Sequence, residues 1–72
     1  MVTFLLTYVV GHGVGEVHQR LEADNLEQAK QRLARILNTD TDYLLVEATN
    51  GATVCIWKAA LGCIRVQQES DG

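Results

Sequence analysis

Tyr43-Leu-Leu-Val-Glu-Ala-Thr-Asn-Gly-Ala-Thr-Val-Cys-Ile-Trp-Lys58 is the stretch on which the fold turns. Two apolar runs, Tyr43 to Ala48 and Thr53 to Lys58, flank Asn50-Gly51, the strongest short-range hairpin signal. A two-residue turn there sets Thr49 opposite Ala52, Ala48 opposite Thr53, Val46 opposite Cys55 and Leu44 opposite Trp57. Paired residues share a face. The predicted core face is therefore Leu44, Val46, Ala48, Cys55 and Trp57, with Thr53 as its one polar member. Tyr43 with Lys58, Leu45 with Ile56, and Glu47 with Val54 fall on the opposite face. Ala59-Ala60-Leu61-Gly62 then leads into a last strand, Cys63 to Gln67. Pairing Lys58 with Cys63 sets Ile64 and Val66 beside Trp57 and Cys55 and turns Arg65 outward. Residues 42–67 thus read as a three-stranded meander, followed by a frayed tail over 68–72.

Upstream of this meander the chain divides into a hairpin, 1–23, and a helix, 24–38. Residues 2–10 are β-branched and aromatic without helical periodicity, which predicts a strand. Gly11-His12-Gly13-Val14-Gly15 reads as a turn. Over 16–23, Val17, Leu21 and Ala23 share one face and His18, Arg20 and Glu22 the other. Asn25 with Gln28 three residues on has the pattern of a capping box. Leu26, Ala29, Leu33, Ile36 and Leu37 then make a stripe at 3.6-residue spacing. The expectation is one α+β domain, 1–72: a five-stranded antiparallel sheet with one helix packed on one face, in the order ββαβββ.

Composition limits what such a domain can do. Hydrophobic residues at 47% and a mean hydropathy of +0.01 are too high for intrinsic disorder. No apolar run approaches the ~20 residues of a membrane-spanning helix. A formal net charge of −3 disfavours direct contact with nucleic-acid phosphates. Two cysteines are too few for a disulfide framework. The opening Met1-Val2-Thr3-Phe4-Leu5-Leu6 lacks the basic region of a signal peptide, so a reducing cytoplasm is the expected compartment.

Catalytic parts are sparse. Cys55 reads as a core residue and Cys63 as a surface thiol on the other side of the sheet, which precludes a disulfide. With His12 and His18 they match no zinc spacing, so neither metal nor other cofactor is expected. The glycines of 11–15 precede a strand, whereas a phosphate-cradling loop needs a helix start after it. Glu16 and His18 share a strand face but have no predicted nucleophile beside them. The chain therefore reads as a non-enzyme without a small-molecule substrate, acting through its surfaces.

Two surfaces stand out. The outer helix face carries Glu27, Lys30, Gln31, Arg32 and Arg35, either as solvated i,i+3 and i,i+4 pairs such as Glu27 with Lys30 or as a docking patch. The helix-free side of the sheet carries Phe4, Leu6 and Tyr8, or Leu5, Val9 and Val17, according to the register of the first hairpin. With Tyr43, Leu45, Val54 and Ile56 it forms a contiguous apolar surface. That surface predicts a homodimer whose interface includes Phe4, Leu6, Tyr43, Leu45, Val54 and Ile56.

Leu21-Glu-Ala-Asp-Asn-Leu-Glu-Gln-Ala-Lys30 and Val46-Glu-Ala-Thr-Asn-Gly51 together resemble the small phage-encoded anti-CRISPR proteins that act on type I-F surveillance complexes. The resemblance lies in the ββαβββ order, the start of the helix and the Asn-Gly hairpin. It implies inhibition by occlusion: the protein binds the Cas7-type backbone of the guided complex in an infected bacterium and blocks target-DNA recognition. In that family basic and polar residues on and after the helix make the contact. Lys30 fits this pattern, Gln31 stands in place of an arginine, and Arg32 and Arg35 lie nearby. The alternative is a non-catalytic dimerisation or protein-interaction module whose open sheet is its function.

Overall fold

A computed structural model describes residues 1–11 and 15–69. The elements are β1 (Val2–Val10), β2 (Gly15–Ala23), α1 (Leu26–Leu37), β3 (Tyr43–Glu47), β4 (Thr53–Trp57), a 3-10 turn (Lys58–Ala60) and β5 (Leu61–Gln68). The fold is α+β in the expected ββαβββ order. Its strands form two sheets, β2-β1-β5 and β3-β4, instead of one. Most of the predicted turn at Gly11 to Gly15 lies outside the described residues.

β1 explains the split. Its nine residues carry no charge, and their apolar side chains point to both faces. Such a strand belongs in the middle of a sheet, where both edges find partners. β2 pairs along its whole length, Val2 opposite Ala23 through Val10 opposite Gly15. β5 takes the other edge, with Leu6 opposite Val66 and Tyr8 opposite Ile64. The expected β4–β5 meander is therefore not formed. The 3-10 turn carries the chain from one sheet to the other, and the Gly11 N–H donates to the Ala60 carbonyl at 2.7 Å. At the bulge beside it, a Cβ on Gly62 would stand 2.8 Å from the Gly11 carbonyl oxygen, so only glycine fits. Gln68 belongs to β5, and the Glu69 N–H donates to Thr3 at 2.9 Å. Residues 68 and 69 are thus not frayed as expected, and the rest of the expected tail, 70–72, lies outside the described residues.

The hairpin register also differs from expectation, by one residue. Leu44 faces Ile56, Leu45 faces Cys55 and Tyr43 faces Trp57. The Ala48 carbonyl accepts from the Gly51 N–H at 3.0 Å, and the Ala48 N–H donates to Ala52 at 2.8 Å. Gly51 has φ +89. This is a three-residue loop, Thr49-Asn50-Gly51, closed by a left-handed glycine bulge. One extra loop residue turns the whole of β4 over. Val54 and Ile56 face inward, while Cys55 and Trp57, expected in the core, face solvent.

The inner face of the three-stranded sheet presents Phe4, Leu6 and Tyr8, all buried. The ribbon covers it with Leu44, Val46 and Ile56, and the helix with Ala29, Leu33 and Ile36. Phe4, Leu6 and Ile56 are core residues and not part of an exposed interface, and Val54 is half-buried against them. The helix begins as read: Asn25 Oδ1 accepts from the Gln28 N–H at 2.8 Å, and Gln28 Oε1 accepts from the Asp24 N–H at 2.7 Å. The buried Tyr8 hydroxyl donates to Gln19 Oε1 at 2.6 Å.

The register has a direct test. Ile56→Ala should cost about 2–5 kcal/mol in urea denaturation, as a buried aliphatic truncation does. Cys55→Ala should stay within about 0.5 kcal/mol; the two-residue turn would invert that order. Burial also pushes the Tyr8 phenol above its ordinary 10.0. Above pH 10 the unfolded chain then sheds this proton while the folded chain keeps it, so stability should fall as pH rises. Tyr8→Phe should flatten that alkaline limb, read from urea midpoints between pH 8 and 11.

Candidate interaction surface

Among the described residues the nearest approach to catalytic machinery is on the helix-free face of the larger sheet. Thr7 Oγ1 lies 3.2 Å from His18 Nδ1, and His18 Nε2 lies 3.9 Å from Glu16 Oε1. The order hydroxyl–imidazole–carboxylate is that of a nucleophile with its base and orienter. Its geometry is wrong for that task. Thr7 is only 2% exposed, so no substrate reaches its hydroxyl. The Glu16–His18 separation is too long for a hydrogen bond, and the carboxylate is engaged elsewhere, by Arg65 Nη2 at 2.9 Å. The trio satisfies a buried hydroxyl; it cannot act on a ligand.

That Arg65–Glu16 pair also explains why this face is not the apolar surface expected from the sequence. Arg65 stands on β5 and Glu16 on β2, so the pair spans central β1. At the other end Arg20 Nε on β2 reaches Glu69 Oε1 at 3.1 Å, again across β1. Aliphatic stems of long charged side chains cover apolar surface while their heads stay in water. Leu5 and Val9 are half-buried beneath this layer. Each pair is part-exposed and contributes at most about 1 kcal/mol. Their effect is coverage.

On the helix, Glu27, Lys30, Gln31, Arg32 and Arg35 are all exposed. Among the described residues Lys30, Arg32 and Arg35 make no ion pair; the expected Glu27–Lys30 contact is not formed. Three of the six basic residues are therefore free on one helix of an acidic protein. They do not form one compact patch. Residues two apart on a helix do not face each other, and Lys30 and Arg32 lie on opposite flanks with Gln31 and Arg35 between. A partner touching all of them would have to wrap slightly more than half the helix.

The outer face of the β3–β4 ribbon is more concentrated. Leu45 is 64% exposed, Trp57 60% and Tyr43 37%. Tyr43 and Trp57 are cross-strand neighbours whose rings meet edge to face, centroids 5.8 Å apart at 78°. Exposed Cys55 lies opposite Leu45. Glu47, opposite Thr53, is the only charge on this face and sits at its far end. Beside it, a groove of about 250 Å³ runs between the helix end and β3, lined by Ile36, Thr39, Thr41, Tyr43, Leu44 and Leu45. Of the six residues expected at an apolar interface, Tyr43 and Leu45 are the two exposed here. Trp57 falls on the core face only with a two-residue turn; the three-residue loop that an Asn-Gly pair also permits sets it on the outer face.

Cys55 and Cys63 are both exposed free thiols, one on the ribbon's outer face and the other beside Val9 on β5. Among the described residues no group of three His, Cys, Asp or Glu side chains converges. Among the described residues no helix is long and apolar enough to cross a membrane.

Trp57 is the single tryptophan, so its environment can be read directly. The folded protein should show the red-shifted, readily quenched emission of an exposed indole. Trp57→Ala should cost no more than about 1.5 kcal/mol, the scale of its edge contact with Tyr43, and not the 3–5 kcal/mol of a core tryptophan. No protein-family model matches this chain, and neither does any curated protein or solved structure.

Proposed function

We propose that the chain is a non-catalytic protein-binding module and that the outer face of the β3–β4 ribbon is its contact surface. The observation that carries this reading is the cluster of Trp57, Tyr43 and Leu45, large side chains held side by side in water. Trp and Tyr dominate the residues whose truncation most weakens protein interfaces. Edge-to-face packing already fixes the two rings, so less side-chain freedom is lost on docking. Desolvation costs little there, because the one charge, Glu47, lies at the rim.

The anti-CRISPR resemblance supplies the finer form of the proposal. The partner is then a type I CRISPR–Cas surveillance complex, held by its Cas7-type backbone subunit, and target-DNA recognition is blocked by occlusion in the cytoplasm of an infected bacterium. The unpaired Lys30, Arg32 and Arg35 support this form, with Glu27 and Gln31 beside them, since they are free to meet a partner's carboxylates. No direct contact with nucleic acid, membrane, cofactor or small-molecule substrate is involved.

Purified type I surveillance complexes, loaded with guide RNA, provide the test. The protein should abolish their binding to target DNA in a gel-shift assay, without binding the DNA itself. Trp57→Ser with Leu45→Lys should weaken inhibition at least a hundredfold if the ribbon is the contact. Lys30→Glu with Arg35→Glu should do so if the helix is. Both pairs are surface changes that leave folding nearly intact. Unimpaired target binding across type I complexes would overturn the anti-CRISPR form. A ribbon variant that retains every interaction of the parent would overturn the ribbon as the contact.

A further inference from the structure

We propose that the free edge of β4 pairs with β4 of a second copy of this chain, antiparallel and centred on Cys55. The argument begins with the direction of the backbone groups. The Ala48 N–H donates to Ala52, and the Lys58 N–H donates to Asp42 at 2.9 Å. Hydrogen-bonded pairs alternate along an antiparallel ladder, so Val46 with Val54 and Leu44 with Ile56 are also bonded pairs. The N–H and C=O groups of Thr53, Cys55 and Trp57 therefore point away from β3, to the outer edge.

The two edges of the ribbon are not alike. On β3's side, the Thr49 N–H just past the strand donates to the His18 carbonyl at 2.9 Å. The Tyr43 carbonyl accepts from the Thr41 hydroxyl at 2.8 Å, and the helix lies alongside, across the groove. On β4's side, no hydrogen bond to Thr53, Cys55 or Trp57 from another segment occurs among the described residues.

Composition points the same way. Exposed edges are ordinarily guarded by charge, proline or a bulge. The edge strands β2, β3 and β5 carry Glu16, Arg20 and Glu22, then Glu47, then Arg65. β4 reads Thr-Val-Cys-Ile-Trp, with no charge, no proline and no bulge. Among the described residues it is the one edge strand without a guard.

A strand pairing antiparallel with its own copy obeys a two-fold axis, the commonest closed symmetry. Centring on Cys55 overlaps all five residues of β4, and any other register leaves some unpaired. It sets Thr53 opposite the second copy's tryptophan and brings the two Cys55 residues face to face. Facing residues of a bonded pair have Cα atoms about 5.5 Å apart, within the span of a disulfide. The outcome is a four-stranded sheet whose outer face carries both copies of the Tyr43–Trp57 pair. This inference does not rest on the partner proposed above, because edge pairing uses backbone groups and the docking face uses side chains.

Sedimentation equilibrium under reducing conditions, from micromolar to millimolar protein, reads the association. The wild type should move from 7.9 kDa towards twice that mass. Cys55→Ser should dimerise equally, and Cys55→Lys, a guard charge at an exposed position, should remain monomeric at every concentration. In a second arm, diamide is the two-electron oxidant. Cys63→Ser should give a disulfide-linked dimer, and Cys55→Ser should give at least tenfold less. A wild-type mass fixed at that of one chain up to millimolar concentration would overturn the proposal. So would a Cys55→Lys variant that still dimerises, or cross-linking that runs through Cys63.

Discussion

An uncharged nine-residue strand with apolar side chains on both faces is the constraint from which this architecture follows. β1 needs a hydrogen-bonding partner on each edge and a cover on each face. β2 and β5 supply the edges. The inner face is too wide for twelve residues of helix, so the β3–β4 ribbon folds back to share it. The outer face receives neither helix nor ribbon. It is roofed by Arg65–Glu16, which reaches from β5 to β2, and by Arg20–Glu69, which reaches from β2 to the residue just past β5. Those bridges require β5 beside β1, so the choice of strand partner that makes the core also closes the opposite side.

How much of this the sequence reveals depends on the range of the interaction. Helix α1 is legible because its signals are local: Asn25 caps it, Gln28 answers, and Ala29, Leu33 and Ile36 recur at the helical period. Both hairpins are legible for the same reason. The strand partner of β5 is not, because a four-residue connection from β4 looks sufficient locally. The decisive term, β1's unpaired edge, lies some fifty residues away in the chain. Register in the second hairpin fails more subtly. Asn-Gly supports a two-residue loop, and Gly51 supports a three-residue loop equally well through its left-handed φ. The alternation of β4 then satisfies either choice with an aromatic or an aliphatic residue inside. Thr53-Val54-Cys55-Ile56-Trp57 has no polar residue at its centre to veto the wrong face. Of the residues expected on an apolar surface, Tyr43 and Leu45 are exposed on the ribbon, while Phe4, Leu6 and Ile56 lie in the core.

The two outer surfaces consequently differ in what they can bind. Docking on the larger sheet would mean displacing or desolvating Arg20, Arg65, Glu16 and Glu69, which a partner recovers only with matching charges. Docking on the ribbon removes water from Leu45, Tyr43 and Trp57 at little electrostatic cost. The free cations on α1 border neither surface as a block, which suits them to a rim and orienting role more than to an energetic centre.

Size makes the ribbon and its free edge complementary. Five residues at about 3.4 Å each, on strands about 4.8 Å apart, give one ribbon a footprint on the order of 170 Å². A stable protein interface covers about 800 Å² on each partner. One ribbon therefore cannot be the whole of such an interface, even with the adjoining groove. Pairing through β4 enlarges the surface in the plane of the sheet, at right angles to the direction in which side chains dock. It consumes only backbone groups that otherwise face water, and it leaves Leu45, Tyr43 and Trp57 exposed on both copies. A broader apolar binding face than one ribbon offers therefore takes a second copy. An unguarded edge beside an apolar face is a way to assemble one from two.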